Sequence, residues 1–216
     1  DYPGKLAATV FTGGCNLRCP FCHNALLVTR LAETPEIPEQ EVLDFLASRR
    51  GLLDGVVLTG GEPLLQPDAA DFLRKVRELG FAVKLDTNGT NPDMLEALAQ
   101  EGLLDYAAMD IKNSPDRYAE TCGGVDLLGP VKRSAALLMA GAVDYEFRTT
   151  LVRELHRPED LDAIAAWLAG APRYYLQNFV DSGNLIGRGY HGFTAEQLQG
   201  FAERVRPFFG AVELRG

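Results

Sequence analysis

Three of the four cysteines in this chain of 216 residues lie within eight positions, on a loop that begins with two glycines. Cys15, Cys19 and Cys22 follow Gly13 and Gly14 and have the spacing Cys-x3-Cys-x2-Cys. A loop this short can place three thiolates around one small metal body. Iron–sulfur clusters are held by cysteine thiolates, normally four for a [4Fe–4S] cube. Three cysteines therefore predict a cluster with one iron open to a ligand that is not protein, and an open iron is a reaction site.

The alternatives for the cysteine loop are a zinc site and ordinary packing. Structural zinc takes four closed ligands. The candidates for a fourth ligand are His23, which directly follows Cys22 and can hardly reach the same ion, and Cys122, about a hundred residues further on. Three free thiols on a glycine-flanked loop would be exposed and easily oxidised, an arrangement that soluble proteins avoid. The iron–sulfur cluster is therefore the favoured hypothesis.

The surroundings of the cysteines resemble a known family. The cysteine spacing, with Phe21 just before the third cysteine, is similar to the signature of the radical S-adenosylmethionine (SAM) enzymes. Residues 11–15 and 22–24 resemble the subgroup that activates glycyl radical enzymes. Within that subgroup, residues 1–5 and 146–150 are most similar to activating proteins of the anaerobic (class III) ribonucleotide reductase. The resemblance covers nearly the whole chain.

The order of elements predicts an α/β fold. Short β-rich segments alternate with amphipathic helical segments, as in parallel strands joined by crossover helices. The predicted strands span residues 7–11, 55–59, 82–85, 106–109, 145–151 and 174–177. The predicted helices span residues 39–50, 68–79, 92–101, 131–140, 158–168 and 195–208. A complete eight-stranded barrel needs about 250 residues, so we expect an incomplete (β/α)6 TIM-like barrel, which the resemblance also implies. Its open side suits a macromolecular substrate.

Polar or glycine residues stand at the carboxyl end of each predicted strand. They are the cysteine loop, residues 60–63, 86–89 and 110–112, Arg148 within the fifth strand, and residues 177–178. In (β/α) barrels the active site is built at that face. We therefore expect the six strand ends to converge on one pocket.

The turn after the second strand is the first candidate for binding SAM. Gly60 and Gly61 lack β-carbons, so the last backbone groups of the strand can approach a ligand closely, and Pro63 fixes the turn. An ordinary strand-to-helix turn is the alternative. Placed after the second strand of a chain with the cysteine triplet, the turn, which includes Glu62, resembles the motif that binds the amino group of SAM in the family.

Two aspartates at strand ends are the next candidates. Asp86 begins a run that could form an Asx-type turn, but it is also placed to accept from ribose hydroxyls or to bind a cation. Asp110 and Lys112 alternate along the chain and face the same way on an extended backbone; a structural ion pair is the alternative. The resemblance to some glycyl-radical activating enzymes implies a monovalent cation at Asp86, Thr87 and Asp110. Lys112 and Arg148 would then balance or anchor the SAM carboxylate.

Aromatic residues flank the cysteines. Phe21 and His23 are placed to stack an aromatic face on adenine, whereas His156 and His191 are expected to be hydrogen-bonded or solvated. Cys122 is expected to be a small thiol without a function. With this one spare cysteine the chain has no room for additional ferredoxin-like clusters, so the electron is expected from an external donor, either flavodoxin or ferredoxin.

Composition narrows the class of protein. A hydrophobic content of 46% without an abrupt compositional shift predicts a single domain over residues 1–216. No apolar run approaches the roughly 18 residues that span a bilayer, and there is no charged-then-apolar leader, so we expect a cytoplasmic protein. A first residue of Asp rather than Met indicates that a short N-terminal segment is absent.

The net charge of −9 and scattered basic residues argue against a nucleic-acid partner.

The resemblance implies a specific reaction. A reduced [4Fe–4S] cluster would pass one electron into bound SAM, and the resulting 5′-deoxyadenosyl radical would take a hydrogen atom from a glycine of a partner enzyme. The expected partner is anaerobic ribonucleotide reductase. The alternatives are activation of a pyruvate formate-lyase type enzyme, the same radical acting on a small molecule, and a metal-binding module that only mediates interactions.

Overall fold

Seven strands form one parallel sheet in which each strand pairs with the next one along the chain. The strands are β1 (Ala7–Thr12), β2 (Gly55–Gly60), β3 (Ala82–Thr87), β4 (Tyr106–Asp110), β5 (Asp144–Leu151), β6 (Arg173–Asn178) and β7 (Ala211–Arg215). The computed structural model describes residues 2–215, so Asp1 of the opening motif lies outside the described residues. Within that range β1 and β7 do not pair, and the sheet is an open barrel.

Helices connect the strands, as parallel pairing requires. They are α1 (Ala25–Thr29), α2 (Glu39–Ser48), α3 (Ala69–Glu78), α4 (Pro92–Gln100), α5 (Tyr118–Thr121), α6 (Leu128–Met139), α7 (Pro158–Trp167) and α8 (Ala195–Val205). The six predicted helices are confirmed, and their first and last residues differ from the predicted ones by at most three positions. The last helix is followed by a 3₁₀ turn at Arg206–Phe208. None of the helices between residues 2 and 215 is long and apolar enough to cross a membrane.

Local sequence explains these elements. The strand β2 has a run of almost completely buried apolar residues, as expected of a parallel strand covered on both faces. Helix α3 buries Phe72, Leu73 and Val76 along one stripe, at the spacing of an amphipathic helix. Helix α8 begins with a capping box, in which Thr194 Oγ accepts from the Gln197 amide at 3.2 Å.

Buried charged side chains, Lys84 and Glu146, lie on two strands of the sheet. Glu146 and Arg148 lie two apart on β5 and therefore share a face. The fully buried Glu146 carboxylate accepts from the Tyr106 hydroxyl at 2.9 Å and from Arg215 at 2.9 Å. An unusual density of charge thus lies inside the barrel, and it extends toward the carboxyl ends of the strands.

The fold class is confirmed, but the sequence analysis missed one strand. Strand β7 pairs in parallel with β6, from Arg173 opposite Ala211 to Gln177 opposite Arg215. It is an edge strand of five residues in which Glu213 and Arg215 interrupt the apolar pattern. Charged residues are common on edge strands because they discourage pairing with other chains. Here they interrupt the apolar pattern from which a strand would be predicted.

Candidate metal and cofactor site

One cavity of about 240 Å³ opens at the carboxyl ends of the strands, and every predicted site residue lines it. These residues are Cys15, Cys19, Phe21, Cys22, His23, Gly60, Gly61, Glu62, Asp86, Thr87, Asp110, Lys112 and Arg148. The cavity lining also includes Asn88 and Gln177, which belong to the predicted strand ends, and three polar residues that were not predicted there, Asn24, Thr59 and Thr150. The expected convergence of strand ends on one pocket is therefore found.

The cysteine loop follows β1 and is held by its own backbone. The Gly14 amide donates to Leu27 O at 2.8 Å, and the Cys22 amide donates to Cys19 O at 3.1 Å. Cys19 is buried, whereas Cys15 and Cys22 are half-buried. Among residues 2–215 no three His, Cys, Asp or Glu side chains are grouped so as to hold a single metal ion. The three thiols thus line the cavity without converging on one point.

The fourth cysteine lies behind the loop rather than in the cavity. Cys122 is fully buried, as expected, and its carbonyl accepts from the Arg18 amide at 3.1 Å. A hydrogen bond from the Cys122 thiol lowers the pKa of Cys19. Burial raises the pKa of Cys15 and of Cys22. A metal that binds these sulfurs would have to displace their protons, which couples metal binding to pH.

The residues fit a three-cysteine cluster better than a four-ligand zinc site. Three sulfurs line one cavity, and Cys122 does not. The His23 ring already has partners within the protein. Its Nε2 donates to Val180 O at 2.8 Å, and the ring stacks on Phe179 with 5.4 Å between the ring centroids. The cavity therefore offers three sulfur donors, and the Nε2 of His23 is already bonded to Val180 O.

The glycine turn is packed against the cysteine loop. A β-carbon on Gly61 would lie 1.9 Å from the Gly14 carbonyl oxygen, and one on Gly60 would lie 2.3 Å from the Thr12 amide nitrogen. Two backbone hydrogen bonds join the turns: the Gly61 amide donates to Thr12 O at 2.9 Å, and the Glu62 amide donates to Gly14 O at 2.8 Å. The absent β-carbons therefore make room for β1 and the cysteine loop, where the sequence argument expected room for a ligand.

Glu62 joins the turns after β2 and β3. Its fully buried carboxylate accepts from the Leu64 amide at 3.1 Å, the Thr87 hydroxyl at 2.7 Å and the Asn88 amide at 2.6 Å. Burial raises the pKa of Glu62 to about 7, although the three donors oppose that shift. Both carboxylate oxygens are thus used within the protein.

Two aspartates form a charge network with three basic side chains, of which Arg148 and Lys112 line the cavity and Lys84 does not. Arg148 donates to Asp86 and to Asp110, each at 2.9 Å. Lys112 donates to Asp110 at 3.0 Å, and the fully buried Lys84 pairs with Asp86. Burial opposes ionisation of Asp110, but Arg148 and Lys112 outweigh it and lower its pKa to about 2. Burial lowers the pKa of Lys84, while the neighbouring Asp86 opposes that shift.

The three residues of the predicted cation site are not all brought together. Asp86 and Asp110 both contact Arg148, which lies between them. The Thr87 hydroxyl points elsewhere, since it donates to Glu62 and accepts from the Gly89 amide at 3.0 Å. The hydroxyl of Thr87 is therefore not directed at the two carboxylates.

The remaining histidines are occupied as expected. His156 is buried, with Nε2 2.9 Å from Lys112 O, and burial lowers its pKa. His191 is exposed and lies 2.8 Å from the Glu154 carboxylate. Neither residue lines the cavity.

A comparison with protein families decides the assignment. A model described as the radical SAM superfamily matches residues 9–168, which is 160 of the 216 residues and includes all three loop cysteines. The chain belongs to the radical SAM superfamily. The family implies a [4Fe–4S] cluster and SAM as cofactors, and the cavity has the sulfur donors for such a cluster.

Several relatives are similar over much of the chain. A protein of Methanocaldococcus jannaschii, named provisionally as a glycyl-radical enzyme activating enzyme, is 37% identical over 83% of this chain and 75% of its own length. A 7-carboxy-7-deazaguanine synthase of Halobacterium salinarum is 42% identical over 77% of this chain and 64% of its own length. A pyruvate formate-lyase-activating enzyme of Clostridium pasteurianum is 34% identical over 54% of this chain and 49% of its own length.

The fold is shared with larger proteins. The crystal structure of Streptococcus suis SuiB bound to S-adenosylmethionine matches with a TM-score of 0.76 at 16% identity. That match covers 98% of this chain and 50% of the SuiB chain. The protein thus spans about half the length of that structure, with the radical SAM fold in common.

Proposed function

We propose that this chain activates a glycyl radical enzyme by reductive cleavage of SAM, and that its partner is the anaerobic (class III) ribonucleotide reductase. The observation that carries the proposal is the single cavity shared by three cysteines, the glycine turn and the charge network. The M. jannaschii relative supports the activating role. The resemblance of residues 1–5 and 146–150 supports the choice of partner. The whole chain would act as one radical SAM domain in the cytoplasm.

Cys15, Cys19 and Cys22 would hold three irons of one [4Fe–4S] cluster. When bound and reduced, such a cluster would supply one electron for cleavage of SAM to methionine and a 5′-deoxyadenosyl radical, and that radical would take a hydrogen atom from the partner's glycine. The chain's own task is to place SAM in a fixed position and to exclude water. No side chain of the protein needs to act as an acid or a base in this reaction.

The charge network would bind the SAM carboxylate. Lys112 uses one of its three donors on Asp110, which leaves donors for a carboxylate. Arg148 is the second candidate, since it spans the two aspartates. The backbone of residues 60–62 would accept from the SAM amino group. Phe21 and His23 would contact adenine.

The predicted monovalent cation would have to share Asp86 and Asp110 with Arg148. We infer that an ion binds there only when Arg148 turns to the SAM carboxylate, with the backbone rather than the hydroxyl of Thr87 as a ligand. SAM affinity should then increase with potassium in the wild-type protein and not in Asp86→Ala. Equal potassium dependence in both proteins would contradict the cation site.

The open side of the barrel would admit the partner's glycine loop. Strand β1 is an edge strand, and Phe11 on it is 55% exposed. We infer that a protein segment would approach the cavity from this side. The electron would come from flavodoxin or ferredoxin, because Cys122 is buried outside the cavity and no further cysteine is present for a relay cluster.

The test is formation of a glycyl radical. Reduced protein and SAM are incubated with a class III ribonucleotide reductase or with a pyruvate formate-lyase, and the glycine-centred doublet is measured by electron paramagnetic resonance. The expected result is a doublet with the reductase and none with Cys19→Ser. A doublet only with the lyase would move the assignment to that partner.

A second candidate is a radical reaction on a small molecule. The specific observation in its favour is the 42% identity with a 7-carboxy-7-deazaguanine synthase, although this chain covers only 64% of that protein. A radical reaction on a small molecule predicts that a small substrate, rather than a protein, increases the release of deoxyadenosine from SAM. A binding module without catalysis would release no deoxyadenosine under dithionite.

A further inference from the structure

The Asn88 side chain lies at the junction of the cysteine loop and the turn after β3. Its Nδ2 is 3.7 Å from Cys15 Sγ and 3.1 Å from Asn16 Oδ1. The side chain is 95% buried, so water does not compete for these contacts. The Asn88 side chain is not among the predicted site residues and has no role in the proposed function.

The orientation of the amide is determined by its other end. Asn88 Oδ1 accepts from the Thr90 amide at 2.9 Å and from the Thr90 hydroxyl at 2.6 Å. A backbone amide can only donate, so the oxygen of Asn88 must face Thr90 and its nitrogen must face the cysteine loop. Both N–H groups then have partners, one on Asn16 and one on the sulfur.

The sulfur of Cys15 receives two donors. The first is the Leu17 backbone amide at 3.4 Å, and the second is the Asn88 amide. A hydrogen bond to a thiolate stabilises negative charge on sulfur, and that charge increases when a cluster gains an electron. Hydrogen bonds to the ligand sulfurs are one of the factors that set cluster reduction potentials. Asn88 is the side-chain donor of this pair, so mutation can remove it.

We propose that Asn88 is a positioning residue that donates a hydrogen bond to the Cys15 thiolate and raises the reduction potential of the cluster. The proposal rests on the proposed function, because it requires Cys15 to be a cluster ligand. Asn88 also donates its backbone amide to Glu62 at 2.6 Å, next to the glycine turn. The same residue therefore joins the cluster loop to the turn that would bind SAM.

The test is a redox titration without SAM, followed by electron paramagnetic resonance, of reconstituted wild type, Asn88→Ala and Asn88→Asp. We expect both variants to have a lower midpoint potential, by about a tenfold change in the one-electron equilibrium, or 59 mV. The control is Asn91→Ala, a matched change at an asparagine whose side chain bonds Leu64 O and the Met94 amide and not the cysteine loop. It should titrate like wild type.

Each result decides the proposal. Unchanged potentials in both Asn88 variants, or an equal shift in Asn91→Ala, would overturn it. If the variants bind no iron, wild type, Asn16→Asp and Asn24→Asp are each labelled with ¹⁵N in the asparagine side chains and measured by pulsed resonance. A nitrogen coupled to the reduced cluster in all three supports the hydrogen bond, and its absence overturns it. Absence of iron from wild type would instead refute the proposed function.

Discussion

The close contact between the glycine turn and the cysteine loop makes Gly61→Ala the most informative single substitution. The new methyl group would lie 1.9 Å from the Gly14 carbonyl oxygen, whereas ordinary contact begins near 3.4 Å. The overlap is about 1.5 Å, the difference between these two distances. It involves backbone on both sides, so no flexible side chain can move aside.

The magnitude follows from two effects. Overpacking of a well-packed site costs about 1–3 kcal/mol. Separation of the loops would also break the hydrogen bond from the Glu62 amide to Gly14 O, which contributes about 1 kcal/mol. We therefore expect Gly61→Ala to lower the free energy of unfolding by about 3 kcal/mol and to displace the cysteines, so that less iron is bound after reconstitution.

The assay is urea unfolding of the apoprotein by circular dichroism, together with iron analysis. The matched control is Gly200→Ala, the same change at an exposed site of helix α8 where nothing lies within 4 Å. There alanine should stabilise the protein by about 0.5–1 kcal/mol. The reasoning would be refuted if Gly61→Ala had wild-type stability and a full iron content.

Three further predictions concern Glu62, Asp110 and the cysteines. Because the folded pKa of Glu62 is raised to about 7, the native state binds more protons than the unfolded state between pH 4.5 and 7. Stability should therefore fall with rising pH there, and Glu62→Gln should remove that slope in pH-dependent unfolding. Asp110→Asn leaves Arg148 and Lys112 without their shared carboxylate and should lower the free energy of unfolding in urea by about 3 kcal/mol. The control, Asp93→Asn at an exposed ion pair, should lower it by less than about 1 kcal/mol. Equal losses in the two variants would contradict the network. Cys19→Ser should lose the iron absorbance while Cys122→Ala keeps about four irons per chain, and loss of iron in both would indicate a four-cysteine site.

Strand order and the location of the site could be predicted because both follow from local pattern and one topological rule. Buried parallel strands have apolar runs, and their carboxyl ends meet at one edge, so Asp86, Asp110 and the cysteine loop had to lie close together. The short edge strand β7 lacked such a run, because Glu213 and Arg215 interrupt it.

Contacts between distant turns could not be predicted. The sequence motif placed Gly61 at a strand end, but only the folded chain reveals that Gly14 fills the space beside it. Thr87 follows Asp86 directly, yet its hydroxyl bonds to Glu62, 25 positions earlier. From the sequence, Asn88 could be predicted only as a turn residue, because its contact with Cys15 joins positions 73 residues apart. Such contacts depend on how the loops pack, which periodicity does not specify.

The central claim is that three cysteines hold a cluster whose fourth iron binds SAM. The most direct measurement is Mössbauer spectroscopy of protein reconstituted with ⁵⁷Fe, recorded with and without SAM. The account predicts a [4Fe–4S] spectrum in which SAM changes the signal of one iron out of four. A spectrum that SAM leaves unaltered, or a preparation that binds zinc in place of iron, would contradict it.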